Sequence, residues 1–571
     1  MDGIIHILPL RVRWYLAELT LYSKINDEPI IPADFPPVER LNVTLRREGR
    51  LRASMSGAGP TLDYQLLAAT RAAIADRRYG GEITISEVTD LDIEVWIQMG
   101  SIYASLEERK QIGFFYMGVD GVEVRFNAKT AYFKPSVALT SPVKDQTALL
   151  SKVCRKAILS DAEWLNPEVE IYKTSWQSVV LPAISGTSTR ISRLRKMATV
   201  RLNESFIRDL KRQSVLYLIR NQKASGEITY LVNAITGLAI SETTNAVRMS
   251  GCFYALSSVL ATLEDLEVIS PCERALVLLY RNILTRSRLW KEGSKAIYDS
   301  NSVNAGASLG TTALFVCGLS MPPFSSLVKE EYGFHLQALK AAQDDYGRFI
   351  TDLRNNLRLE RSENYFSGQA LLALSLAAEN GDDEAMELCS GAFSAYRDHF
   401  ISRPTSAFTG WHIDVWSRLA VMTGRDEYCS FAFRQADWLL DMLIRDSLHQ
   451  DWIGGFTRDS VEPSASSIVF AEALCCAILL AEKCGDRERI ERYGEALRLS
   501  IQFCLRLAVD RIPQSFRVDP KRSDGGITIS NCNLTVRCDF VQHFITFCQK
   551  VIPILHFGLL PKIRTELTTN L

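Results

Sequence analysis

The sequence carries no excess of charge of either sign. Its 65 Lys and Arg face 66 Asp and Glu, for a formal net charge of −1. Without a bulk positive field, neither nucleic acid nor an anionic membrane is expected as a partner. No apolar run is long enough to span a bilayer. The opening Met1-Asp-Gly-Ile-Ile-His has neither the basic nor the long apolar stretch of a secretory leader, so a cytoplasmic location is the expectation. The 13 cysteines form no CxxC pairs at zinc-site spacing, and most lie in apolar runs such as Ala473-Leu-Cys-Cys-Ala-Ile. They read as buried free thiols. Neither a P-loop nor a GxGxxG turn after a strand occurs, so no nucleotide signature is present and no cofactor is implied.

What is there is an ordinary globular composition, 47% hydrophobic and 23% charged, over 571 residues. That length calls for two or three domains. Between about Leu41 and Val180 two periods mix. Leu41-Asn-Val-Thr-Leu-Arg-Arg, Leu91-Asp-Ile-Glu-Val-Trp-Ile, Gly121-Val-Glu-Val-Arg-Phe and Val169-Glu-Ile-Tyr-Lys alternate as half-buried strands do. Asp63–Asp76 and Gln146–Ile158 have helical spacing. Strands interleaved with a few helices predict a mixed α/β domain.

Five segments here follow the order and spacing of a known family. They are Val43-Thr-Leu-Arg-Arg-Glu-Gly-Arg-Leu-Arg52, Leu91-Asp-Ile-Glu-Val95, Phe133-Lys-Pro135, Cys154-Arg-Lys-Ala157 and Trp164. Over about residues 38–180 the chain resembles the AMME chromosomal region (AMMECR) domain. The resemblance implies a mixed α/β fold and no particular reaction. The family signature Arg-Gly-Cys-Ile-Gly is replaced by Arg52-Ala53-Ser54-Met55-Ser56, with Ser54 at the thiol position. A serine without an adjacent base is a poor nucleophile, and no His lies nearby in sequence. The stretch reads either as a site that has lost its chemistry or as a tight strand-to-loop turn.

After Leu181 the small, polar and basic run Pro182-Ala-Ile-Ser-Gly-Thr-Ser-Thr-Arg-Ile-Ser-Arg-Leu-Arg-Lys196 marks a domain boundary. The division expected is an AMMECR-like domain over 1–182, a linker over 183–202 and a helical domain over 203–571. A solvated linker would be cut by protease near Arg190–Lys196.

From Asn203 the pattern is almost entirely helical. Six segments carry one charged face: Glu204–Arg220, Cys272–Trp290, Tyr332–Asn356, Glu384–Phe400, Tyr428–Arg445 and Arg487–Leu507. Six others are apolar nearly all round: Val247–Leu263, Ala305–Leu319, Phe366–Ala378, Val415–Met422, Ser467–Leu480 and Phe540–Val551. The two kinds alternate strictly. All-round apolar helices are buried and one-faced helices lie outside, so the alternation predicts two concentric rings, an (α/α)6 toroid. An open solenoid is the alternative, but neither a fixed repeat period nor similar loops is evident. Inner-to-outer connections are mostly short. Outer-to-inner ones are mostly long: about Asn221–Ala246, Lys291–Asn304, Ser402–Trp411, Asp446–Ser466 and Arg511–Val536. Long loops collect on one rim, and that rim is where a site is expected.

The N-terminal turns of the predicted inner helices carry Asn245 and Arg248; Asn301 and Asn304; Tyr365, Ser367 and Gln369; Trp411, His412 and Asp414; Ser464, Ser466 and Ser467; and Arg537, Asp539, Gln542 and His543. Capping accounts for the Asn and Ser residues. Arginines at a helix N-terminus are mildly disfavoured, so Arg248 and Arg537 need carboxylates such as Asp414 and Asp539, or an anionic ligand. The segments Asn245-Ala-Val-Arg-Met-Ser-Gly, Tyr365-Phe-Ser-Gly-Gln-Ala-Leu-Leu-Ala-Leu, Gly454-Gly-Phe and Arg537-Cys-Asp-Phe-Val-Gln-His resemble those of six-hairpin toroid enzymes, which act on carbohydrates. That resemblance implies a central cavity holding a polar ligand against aromatics. By analogy His412, Asp414, Asp539 and His543 would be catalytic, and Arg248, Tyr365, Gln369, Trp411, Arg537 and Gln542 would bind substrate. Asp539 and His543 are four apart, on one helix face, and are expected to pair. His412 and His543 are expected to face each other across the cavity.

Two functions stay open. One is an enzyme acting by acid–base chemistry on a small, polar, anionic molecule, such as a sugar acid or amino-acid derivative, with no metal. The other is a non-catalytic binding or scaffold protein. Nothing in the sequence sets the oligomeric state. If the first domain is chemically inert, Ser54→Ala leaves any activity within about twofold; a loss of two orders of magnitude would place chemistry there.

Overall fold

The computed structural model describes residues 4–22, 37–141, 143–197, 200–241, 245–300, 302, 304–457, 461–560 and 566–567. Asn301, one of the rim residues singled out above, lies outside them.

The first half is an antiparallel sheet with helices on it. Its strands are β1 (Arg40–Arg47), β2 (Arg50–Gly57), β3 (Asp92–Ala104), β4 (Gly121–Phe126), β5 (Lys129–Phe133) and β6 (Glu170–Leu181), in the order β2-β1-β3-β6-β4-β5. The alternation Leu41, Val43, Leu45 on β1 and Ile93, Val95 on β3 puts one apolar face under α1 (Leu8–Tyr22) and α2 (Leu62–Ile74). The far end of the sheet packs Val122, Val124 and Ile171 under Leu149, Leu150 and Val153 of α3 (Gln146–Lys156). Arg52–Gly57, read above as a possible turn, is strand, paired with β1 in register Thr44↔Ser54. Alternation was hidden there by Arg52, Ser54 and Ser56, which lie among polar partners on the sheet's other face.

The second half is a ring within a ring. The outer helices are α4 (Glu204–Arg220), α6 (Leu266–Leu284), α8 (Lys329–Lys340), α10 (Asp383–Ser402), α12 (Asp426–Leu440) and α14 (Arg487–Leu507). The inner helices are α5 (Ala246–Leu260), α7 (Leu309–Leu319), α9 (Glu360–Glu379), α11 (Ser406–Thr423), α13 (Ser466–Lys483) and α15 (Cys538–His556). Each inner helix packs on the next, and α15 returns onto α5, so the ring closes. Every residue of α7 is buried, whereas α14 buries about half of its residues on one stripe. This is the alternation of the sequence made into layers. No helix among the described residues is long and apolar enough to cross a membrane.

Two expectations are corrected here. Helix α11 begins at Ser406, nine residues before the predicted Val415, so Ser402–Trp411 is mostly helix and not a long loop. The polar and bulky run Thr409-Gly-Trp-His-Ile-Asp masked its first turns. The connections also repeat. Gln222 donates to Gly226 O at 3.0 Å and to Ala275 O of α6 at 2.9 Å; Gln343 donates to Gly347 O at 3.1 Å and to Leu388 O of α10 at 3.0 Å. In both turns the glycine has positive φ, +89° and +77°, and a Cβ there would sit 2.3 or 2.4 Å from a carbonyl oxygen of the next outer helix.

The segment expected as a solvated linker is a docked hairpin. Strand β7 (Thr189–Ser192) joins β6, and β8 (Arg195–Lys196) joins β7. Arg193, Leu194 and Arg195 are buried against the toroid, Leu194 within its core. Native protein is therefore expected to resist trypsin at Arg193 and Arg195; early cleavage there would contradict the docking. Gly347→Ala is expected to cost more than about 1 kcal/mol, read as a lowered melting temperature, because both φ and the close carbonyl oppose a side chain.

Candidate active site at the long-loop rim

A cavity of about 590 Å³ opens where the inner helices begin, and all six contribute to its wall. Eight of the ten sequence-predicted site residues line it: Arg248, Tyr365, Gln369, Trp411, Arg537, Asp539, Gln542 and His543. Phe366, Phe456, Phe470 and Phe540 add apolar wall, giving the mix of aromatic surface and few convergent polar groups typical of small-molecule sites.

One side of the cavity is an arginine pair around a single carboxylate. Arg537 caps α15, and Asp539 lies in its first turn, where a negative charge suits the helix dipole. Asp539 accepts from Arg248 Nε at 3.0 Å, and from Arg537 Nε at 3.0 Å and Nη2 at 2.5 Å. Burial pushes the Asp539 carboxyl up, but Arg537 and Arg248 outweigh it and hold it below the usual carboxylate range. Both guanidiniums lie over the Tyr230 ring, at 4.5 and 5.7 Å. Among the described residues two cations share one anion, so the cluster as described carries a net positive charge at the cavity.

Opposite chemistry sits on the next turn of α15. His543 Nδ1 is 3.1 Å from Glu472 Oε2 of α13, and its ring lies 5.3 Å from that of Trp411. No protein partner is recorded for Nε2 among the described residues, and the residue lines the cavity. The expected Asp539–His543 pair does not form. The helical spacing is right, but two guanidiniums hold Asp539, and Glu472 takes the imidazole from the neighbouring helix.

Glu472 is itself anchored. Lys550 Nζ donates to Glu472 Oε1 at 3.0 Å and to Asp414 Oδ2 at 2.6 Å. Asp414 Oδ1 accepts from Arg418 at 2.8 Å, and Arg418 reaches Glu379 at 2.9 Å. Burial raises the Glu472 and Asp414 carboxyls, but Lys550 with His543 depresses the first, and Arg418 with Lys550 the second, below their ordinary range. The chain His543–Glu472–Lys550–Asp414–Arg418–Glu379 runs from the cavity through the middle of the ring. Sequence reasoning missed Glu472 and Lys550. The available signal was a single charge on each of two otherwise apolar helix faces, with Lys550 seven residues, two turns, beyond His543.

His412 and Asp414 do not line the cavity. Because α11 starts at Ser406, both lie in later turns than expected, on other faces. Asp414 is the brace just described. His412 is fully buried between α9, α10 and α11, stacked on Phe408 at 3.5 Å with Nε2 3.2 Å from Ser367 Oγ. Burial, then the neighbouring His399, pulls its pKa well down, so it is a neutral packing residue and does not face His543. Of the other rim residues, Asn245 caps α5 and Asn304 accepts from Arg354; α7 is capped by Ser308, which the sequence reading did not single out.

In the first domain, Ser54 Oγ lies 2.9 Å from Thr44 Oγ1 and 3.3 Å from Asn42 Oδ1, and buried Lys134 donates to the same Asn42 and Thr44. Burial brings the Lys134 ammonium down to about 8 against the pull of Glu94. Its acceptors are all protein groups, so this cluster is satisfied internally.

Residues 38–179 match the AMMECR1 family model. An uncharacterized protein from Pyrococcus horikoshii aligns over 98% of its length and 34% of this chain, at 22% identity and a TM-score of 0.30. Over the toroid, a D-mannose isomerase aligns with 61% of this chain and 97% of its own, at 11% identity and TM-score 0.45. A cellobiose 2-epimerase from Bacillus thermoamylovorans covers 61% and 99%, at 10% identity and TM-score 0.45. No curated protein matches this chain.

Stability should report the ion chain. Glu472, Asp414 and Asp539 are held below the ordinary carboxylate range, so the stability they contribute is complete above it and is lost as pH falls through their folded values. The melting temperature is expected to fall gently between about pH 7 and 5, where His412, buried neutral, resists the proton that the unfolded chain takes up, and more steeply below about pH 4 as these carboxylates protonate. Lys550→Met removes the cation that bridges two buried carboxylates, leaving Asp414 to Arg418 and Glu472 to His543, and is expected to cost about 3–5 kcal/mol near neutrality. Protonating those anions should shrink that deficit in acid; an equal deficit at both ends would show that the chain is not electrostatic in origin.

Proposed function

We propose that the toroid cavity is the active site of an enzyme acting on a small, polar, anionic molecule of the sugar-acid or amino-acid class. One juxtaposition carries the reading: a net-positive arginine pair and an imidazole with one nitrogen unpartnered share an aromatic-walled cavity. A guanidinium pair binds a carboxylate through charge-assisted hydrogen bonds. Glu472, fixed by Lys550, holds the Nδ1 side of His543 and leaves Nε2 for proton transfer. Trp411 and Phe540 offer faces for the apolar side of a sugar ring. Gln542, pressed against Gly251 of α5, and Gln369, whose Oε1 is buried without a protein partner, supply neutral hydrogen-bonding groups.

The runner-up is binding without turnover. It is favoured by the count of proton-transfer groups: with His412 and Asp414 outside the cavity and Asp539 locked by two arginines, His543 is the one imidazole lining it.

D-glucuronate, with D-glucose as the neutral control, separates the possibilities by calorimetry. D-glucuronate is expected to bind and D-glucose to bind at least about tenfold more weakly, the worth of a charged hydrogen bond. Equal affinities would remove the anion-selective reading. For turnover, uronic acids incubated with the enzyme are followed by NMR. His543→Gln is expected to keep binding and lose about 10²–10⁴ in rate. Binding with no turnover by the wild-type protein would leave the scaffold reading standing.

A further inference from the structure

We infer that the β7–β8 hairpin of the first domain is a clamp that sets two cavity loops of the toroid, with Arg193 as the positioning residue. The inference rests on the cavity being the binding site. It goes beyond that reading by giving the AMMECR-type half of the chain a task that needs no chemistry of its own.

The hairpin lies just past the matched span and extends the sheet by pairing Val179 with Arg190. Its two turn residues, Arg193 and Leu194, both have positive φ, +45° and +61°. Two-residue turns of that kind favour Asn-Gly, and a bulky residue there is strained. Such strain persists only where the surroundings fix it, and here they do. Leu194 is 1% exposed within the toroid core, and Arg193 is 4% exposed.

Arg193 pairs with Asp451 at 3.1 Å and donates to Glu462 at 2.6 Å. Both carboxylates belong to the connection 441–465, which carries Phe456 to the cavity. Glu462 in turn accepts from Ser530 at 3.4 Å and from the Cys532 thiol at 2.5 Å, in the connection 508–537 that ends on Arg537. Arg195, also buried, donates to Thr528 Oγ1 at 2.9 Å and Asn531 O at 2.9 Å in that second connection. Tyr116 of the same domain lies 3.6 Å from the His449 ring in the first connection.

The physical need is plain. Each ordered loop residue costs about 1–2 kcal/mol of backbone entropy, and among the described residues of 441–465 the only helical element is one short 3-10 turn, Gln450–Trp452. Two arginines that join carboxylates and carbonyls of both connections provide the opposing term. Arg537 at the cavity and Phe456 in its wall are then placed from outside the toroid.

Hydrogen–deuterium exchange on the full chain, with Arg193→Ala and Arg193→Lys, tests this. In Arg193→Ala, amides of 453–457 and 535–537 are expected to exchange at least about tenfold faster while α7 and α9 are unchanged, and D-glucuronate binding to weaken. Arg193→Lys, keeping the charge, is expected to recover most of both. Unchanged loop exchange, or acceleration throughout the toroid, overturns the clamp. If Arg193→Ala does not fold, Glu462→Gln removes the same ion pair from the toroid side and is judged by the same loops. If the wild-type protein fails to bind D-glucuronate, the substrate reading falls, and the exchange pattern alone still decides the clamp.

Discussion

Lys550 is the interaction on which the rest of the toroid depends. It lies on α15, the helix that closes the ring, and its ammonium joins a carboxylate from α11 to one from α13. A lone ammonium in that interior would be strongly disfavoured, and so would either lone carboxylate. Together they satisfy one another and tie three inner helices at one depth. The same contact reaches the site, because Glu472 spends its other oxygen on His543. The electrostatics that hold the ring and the orientation of the cavity imidazole are one network.

The cavity follows from the ring. Six parallel inner helices bring six N-terminal turns to one rim, and their orphan amides call for caps and anions. Asp539 puts a negative charge in the first turn of α15, and among the described residues the two guanidiniums on it leave the cluster net positive. The first domain adds what the ring cannot supply, a sheet edge from which a strained hairpin reaches the rim connections 441–465 and 508–537. Trp96, Val180 and Ile191 of the first half pack in the toroid's core, while the rest of that half keeps cores of its own.

Much of this was legible in the sequence. Periodicity gave twelve helices and their layers, because an all-round apolar helix has only one place to be. The cavity residues were found where a side chain defied its position, as with Arg248 and Arg537 at helix N-termini. What failed did so for local reasons. The start of α11 was hidden by Trp411, His412 and Asp414, which look like rim residues; Trp411 does line the cavity, but His412 packs and Asp414 braces in later turns of the helix. The Asp539–His543 pair had correct spacing but lost to stronger partners from other helices, which no single-helix argument can see. The linker at 183–202 had a linker's composition; the long-range ion pairs of Arg193 and hydrogen bonds of Arg195 make its described part an interface.

A structure of the protein soaked with D-glucuronate tests the central claim most directly. The account predicts the carboxylate against Arg248 and Arg537, the sugar ring along Trp411 and Phe540, and a ring hydroxyl or carbon within reach of His543 Nε2. A sugar bound elsewhere, or one in the cavity with its carboxylate turned away from the arginines, would contradict it.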